Sequence, residues 1–196
     1  MLFKLTSILT SILGIFGSNA EACSAPCVAG DESIMRQKAH GTSETPVQQN
    51  LRWGCDWDSA DRICNFNRRY AEYSGYFQRE TTLVKDMVGE TDFFDSNTGK
   101  RLFTAPIGRS VQEFLQESAL HGWPSFRDNE VNWDYVRVLP NGETVSVDGT
   151  HLGHNLPDSE GNRFCINLVS VAGNPVEEPG TDQVVCPGED CPDDAK

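Results

Sequence analysis

The 196-residue chain is poor in positive charge: 16 Lys and Arg stand against 29 Asp and Glu, a formal net charge of −13. Nothing in such a chain neutralises a run of phosphates, so nucleic acid is excluded as its partner. No Cys-x-x-Cys pair occurs, which removes the usual half-site of a structural zinc. No apolar run approaches the roughly 20 residues needed to span a membrane. Internal repeats and Asn-x-Ser/Thr sequons are also missing. The remainder is ordinary for a folded protein, with 38% hydrophobic and 23% charged residues. The length suits one domain with a real core.

Met1–Ala22 reads as a secretory signal. Lys4 precedes an apolar stretch from Leu5 to Phe16, and Ala20-Glu21-Ala22 offers small residues at the positions a signal peptidase inspects. The expectation is an exported protein, with no membrane association after cleavage. In an oxidising compartment seven cysteines at positions 23, 27, 55, 64, 165, 186 and 191 would form disulfides. An odd count leaves one thiol over. Six lie in the flanks, so Cys165 is expected to be the unpaired one.

Residues 23–65 are polar, turn-rich and cysteine-bearing, and read as a stapled N-terminal extension. Residues 174–196 carry seven acids and one lysine and read as a solvated acidic tail. Between them, residues 66–173 should hold the main domain. Ser110-Val-Gln-Glu113 is a capping box opening a helix that Gly122 stops. Val131–Val138 and Thr144–Val147 read as strands joined by the Pro140-Asn141-Gly142 turn, and Arg163–Val171 as a third strand. The expected fold is mainly β, antiparallel, with one or two short helices.

Alternation along the third strand puts Phe164, Ile166 and Leu168 on a core face, and Arg163, Cys165 and Asn167 on the other. A cation beside a thiol favours the thiolate, which is the nucleophile. An inert buried cysteine fits the same pattern. Eleven residues before Cys165 stands His154, in His151-Leu-Gly-His154. Imidazoles are the common proton donors near neutral pH, although two histidines at this spacing also serve as structural residues or as half of a metal site. Gly122-Trp123-Pro124-Ser125-Phe126 reads as a rigid aromatic turn, either a plug over the core or an apolar wall for a substrate.

Taken in order around one central cysteine, GWPSF (122–126), HLGH (151–154) and RFCIN (163–167) resemble the signatures of the B-type methionine-(R)-sulfoxide reductases. The resemblance covers roughly residues 70–173 and is strongest from Gly122 onward. It implies two antiparallel sheets leaning together as a tent. It implies reduction of methionine-(R)-sulfoxide in oxidised proteins or peptides, with an external thiol reductant, thioredoxin-like or dithiothreitol, and no bound cofactor. By motif, Cys165 is the nucleophile that ends as sulfenic acid, and His151, His154 and Asn167 act on the sulfoxide oxygen. Trp123 and Phe126 contact substrate, and Arg163 sets the local electrostatics.

Two family features are absent. Aligned on Gly99-Lys-Arg-Leu-Phe103 and on His151, the four zinc cysteines fall at Asp95, Thr98, Val145 and Asp148, so no zinc is expected. The usual resolving cysteine falls at Leu120, which leaves Cys64, Cys55, Cys186 and Cys191 as candidates for that role. Two other readings stay open: a secreted binding module on the same fold that does not turn over, and a stapled interaction protein whose acidic tail meets a cationic partner.

Overall fold

The protein, a computed structural model, is described for residues 24–176. The signal reading at Met1–Ala22, Cys23, and nearly all of the acidic tail with Cys186 and Cys191 lie outside them. Among the described residues, no helix is long and apolar enough to cross a membrane.

Among the described residues, seven strands form two antiparallel sheets. Strands β1 (Thr91–Phe94) and β2 (Arg101–Ala105) make a two-stranded hairpin. The other sheet has five strands in the order β3-β7-β6-β5-β4, with β3 Ser125–Phe126, β4 Val136–Val138, β5 Glu143–Ser146, β6 His151–Asn155 and β7 Phe164–Ile166. The sheets meet through phenylalanines. Phe126 of β3 stacks on Phe103 of β2 at 4.4 Å between centroids, and Phe93 of β1 meets its edge at 5.0 Å. Six phenylalanines among the described residues are fully buried. At about 1.5–3 kcal/mol each, Phe93, Phe103, Phe114 and Phe126 stabilise this junction through their apolar contacts.

Among the described residues there are four short α-helices where one or two were expected: α1 Trp57–Asp61, α2 Tyr76–Arg79, α3 Leu83–Asp86 and α4 Val111–His121. α4 follows its sequence signals. The Ser110 hydroxyl accepts from the Glu113 amide while the Glu113 carboxylate accepts from the Ser110 amide, and Gly122 closes the helix in the left-handed region at φ 91°. Phe114 on its inner face packs against Phe93 and Phe126. Helices α1 to α3 are single turns whose apolar spacing is too short to register as a period.

Two strands are shorter than their sequence pattern. The stretch before β4 turns instead, because Asn132 accepts from the amides of Asp134, through its side chain, and of Tyr135 and Val136, through its carbonyl. β7 stops at Ile166, where the main-chain and side-chain N–H groups of Asn167 both donate to the Leu152 carbonyl. Leu168–Ser170 then forms a 3-10 turn, so the expected third strand does not reach Val171.

The stretch from 23 to 65 is stapled less than expected: Cys27 is disulfide-bonded, but the two cysteines further along are not. Cys55 and Cys64 are buried free thiols, so six flank cysteines do not form three disulfides. Cys64 lies in a π-helical turn, Arg62–Phe66, and donates to the Ser170 hydroxyl at 3.5 Å. Packing holds this stretch in place. Val47, Trp53, Ala60 and Ile63 join the same core as both sheets. Asp61 accepts from the Val47 amide and from Asn65 and contacts His40.

Candidate active site

Cys165 is the middle residue of β7, between two register partners: Ser125 on β3 and His154 on β6. It is a free thiol, 9% exposed. Its sulfur opens into a cleft of about 220 Å³ lined by Trp123, His151, His154, Asn167 and the segment 68–71. The Arg163 guanidinium, two residues away on the same side of the strand, donates from Nη1 to Sγ at 2.6 Å. Its Nε donates to Asp158 at 3.1 Å, which fixes the fork. The Ser125 hydroxyl lies 3.8 Å from the sulfur on the opposite flank.

The two histidines differ. His151 is buried, with Nδ1 2.8 Å from Glu143 Oε1. Burial alone would raise the Glu143 carboxyl, but hydrogen bonds from His151 and Arg68 outweigh it and hold its pKa at about 2. An ionised carboxylate only accepts, so Nδ1 carries the hydrogen and Nε2 is the nitrogen left for the cleft. Arg68 grips the far side of Glu143 at 2.6–3.1 Å and also meets Glu32. His154 is half-buried, and burial, then the proximity of His151, lowers its pKa. It is therefore neutral at pH 7 and offers one N–H and one lone pair.

Trp123 is held by its indole edge, with Nε1 donating to the Glu72 carbonyl at 3.0 Å. Asn167 is committed on both sides of its amide. Oδ1 accepts from the Glu72 amide at 3.0 Å, and Nδ2 donates to the Leu152 carbonyl at 2.9 Å. One Nδ2 hydrogen remains for a ligand.

Of the residues expected at the site, Cys165, His151, His154, Asn167 and Trp123 line the cleft together. Arg163 lies behind the sulfur and reaches the cleft through it. Phe126 does not reach the cleft. Side chains alternate across β3, so Ser125 takes the Cys165 side and Phe126 falls in the core between Phe93, Phe103 and Phe114. Neither Cys55 nor Cys64 lines the cleft, and burial raises both thiols well above the ordinary range. Sequence reasoning missed Glu143, Arg68 and Ser125. Ser125 is inside a recognised motif, but no spacing connects Arg68 or Glu143 to His151.

The positions where the family resemblance puts zinc do not fit that ion. Val145 offers no ligand and is buried with Met35 and Leu139. Asp148 is engaged by Lys100 at 2.9 Å. Asp95 accepts from the Thr150 hydroxyl at 2.8 Å, so a side-chain hydrogen bond joins the two loops directly. Glu117, His121 and Asp158 also converge elsewhere on the surface, but Arg127 already pairs with both carboxylates.

No protein-family model and no curated protein matches the chain. The functional reading rests on the three motifs and on this geometry.

Proposed function

We propose that the protein is a thiol-dependent methionine-(R)-sulfoxide reductase acting on oxidised proteins or peptides. The observation that carries this reading is the Arg163 guanidinium at 2.6 Å from the Cys165 sulfur, at the floor of a cleft shared with two histidines and an indole. A nucleophilic sulfur, proton-bearing groups and an apolar wall for an S-methyl group are what the reaction needs in one place.

In the proposed reaction the Cys165 thiolate attacks the sulfoxide sulfur while the oxygen takes two protons and leaves as water. The resulting sulfur–sulfur sulfonium is opened by water at the Cys165 sulfur, giving methionine, Cys165 sulfenic acid and one proton. An external dithiol, thioredoxin-like in the cell or dithiothreitol in the tube, then reduces the sulfenic acid. The dithiol becomes a disulfide, the oxygen departs as a second water and the Cys165 thiol returns. In this reading His151 and His154 protonate the oxygen and Trp123 packs against the methyl group, which their shared lining of the cleft supports. The chain's own cysteines at 55 and 64 are not required in this cycle.

The test is a peptide carrying racemic methionine sulfoxide, assayed with dithiothreitol beside Cys165→Ser. Consumption of the R epimer alone, abolished by the substitution, is expected. A folded chain that reduces neither epimer overturns the reading, and a binding module on the same fold would take its place.

A further inference from the structure

Glu72 touches the site through every polar group it has except one. Its amide donates to Asn167 Oδ1 at 3.0 Å, its carbonyl accepts from Trp123 Nε1 at 3.0 Å, and its carboxyl Oε2 accepts from the Val169 amide at 3.0 Å. Oε1 is buried with no hydrogen-bond partner. Three separate pieces of the site therefore converge on one residue: the turn after α4, the turn after β7 and the segment 68–71 that walls the cleft.

The side chain lies wholly inside the protein. The titratable groups that sense its charge are the buried thiols of Cys55 and Cys64 and the hydroxyls of Tyr76 and Tyr73. None of these supplies a positive charge. Arg68, on the same segment, is spent on Glu143 and Glu32. Among the described residues no cation pairs with Glu72. A buried carboxylate without a counter-charge is costly, so the carboxyl is neutral while it stays inside.

We propose that Glu72 is a positioning residue of the cleft, its neutral carboxyl pinning the segment 68–72 to the Leu168–Ser170 turn so that Trp123 and Asn167 are held in place. The role rests on the reductase reading only for the activity it would modulate. Burial pushes the Glu72 carboxyl up to about 8, against the amides of Leu168 and Val169, which pull it down. Ionisation above that pH draws the carboxylate toward water, and the segment that anchors Trp123 and Asn167 moves with it. The cleft is thus competent below about pH 8 and loosens above it.

The same group makes stability pH-dependent. Its pKa is higher folded than unfolded, so its contribution is complete below the ordinary value of 4.5 and is lost as pH rises to about 8.

The experiment compares the full chain with Glu72→Gln and Glu72→Ala. Glutamine is neutral at every pH and keeps an acceptor for Val169, whereas alanine keeps neither the acceptor nor the volume. For each chain, kcat/KM toward the R-sulfoxide peptide and Tm are followed from pH 5 to 10, with every activity profile scaled to its own maximum. The natural chain is expected to show an alkaline fall in kcat/KM centred near pH 8 and a Tm decline between pH 5 and 8. Glu72→Gln should lose both, and Glu72→Ala should lower kcat/KM on the order of tenfold at every pH. A Glu72→Gln chain that retains the alkaline fall overturns the proposal. So does one that fails to fold, because a neutral isostere meets everything asked of this side chain. If the natural chain has no activity at any pH, the reductase reading fails, and the Tm profiles alone still decide whether Glu72 is buried neutral.

Discussion

Gly153 and Cys165 lie so close across β6 and β7 that a Cβ built on the glycine would sit 2.1 Å from the cysteine's carbonyl oxygen. No side chain fits there without parting the strands. The glycine between the two histidines is therefore a steric requirement of β7, not a hinge. Gly153→Ala is expected to cost about 1–3 kcal/mol as overpacking against rigid backbone. It should also lower kcat/KM, because β6 carries both histidines. Urea unfolding and peptide-sulfoxide kinetics on the same variant check this, and an unchanged midpoint would contradict it.

Arg163 donates to two groups at once, to Cys165 Sγ and to Asp158. A planar fork does this from two separate nitrogens held in one plane, whereas an ammonium would have to reach both groups from a single nitrogen on a flexible stem. Arg163→Lys keeps the charge but loses the bridge. The reaction of Cys165 with iodoacetamide at pH 7 should slow by about 10- to 100-fold, the range for a lost hydrogen bond to a charged group. Alkylation followed by mass spectrometry at Cys165 reads this directly.

Glu143 is buried between His151 and Arg68. Its pKa is lower folded than unfolded, so its contribution is present above the ordinary value of 4.5 and lost as pH falls toward about 2. The natural chain should lose stability between pH 4.5 and 2 more steeply than Glu143→Gln. At pH 7 Glu143→Ala should cost about 3–5 kcal/mol, because it strands Arg68 and His151. Glu143→Gln should also lower kcat on the order of tenfold by releasing the His151 tautomer. Equal acid sensitivity of the two chains would contradict the assignment.

Phe126 joins the sheets and is out of reach of the cleft. Phe126→Ala is expected to cost about 3–5 kcal/mol, whereas Phe126→Leu should lower Tm without changing KM for the peptide. A raised KM with an unchanged Tm would put the ring back against the substrate.

Much of the site can be read from the chain because strand alternation is local. In Arg163-Phe-Cys-Ile-Asn167 one residue pattern places a cation, a thiol and an amide on one side and two core side chains on the other. The capping box at Ser110 and the stop at Gly122 are equally local, and both are realised. Asn132 was a local signal too, but its turn was hidden inside an alternating pattern, which is why β4 is shorter than expected. The partners of the cleft-lining residues are not local. Arg68 reaches Glu143 across 75 residues, and Glu72 reaches Asn167 across 95. No spacing rule links such pairs, since they meet only once the sheets have packed.

Residue types and short spacings determined the elements, the faces of β7 and the set of groups able to do the chemistry. Tertiary structure decided their working states. It set which imidazole nitrogen is left for the cleft, which thiols are free, and that Phe126 belongs to the core. Charge state, tautomer and burial depend on the dielectric and on partners brought in from distant segments, and those exist only in the folded chain.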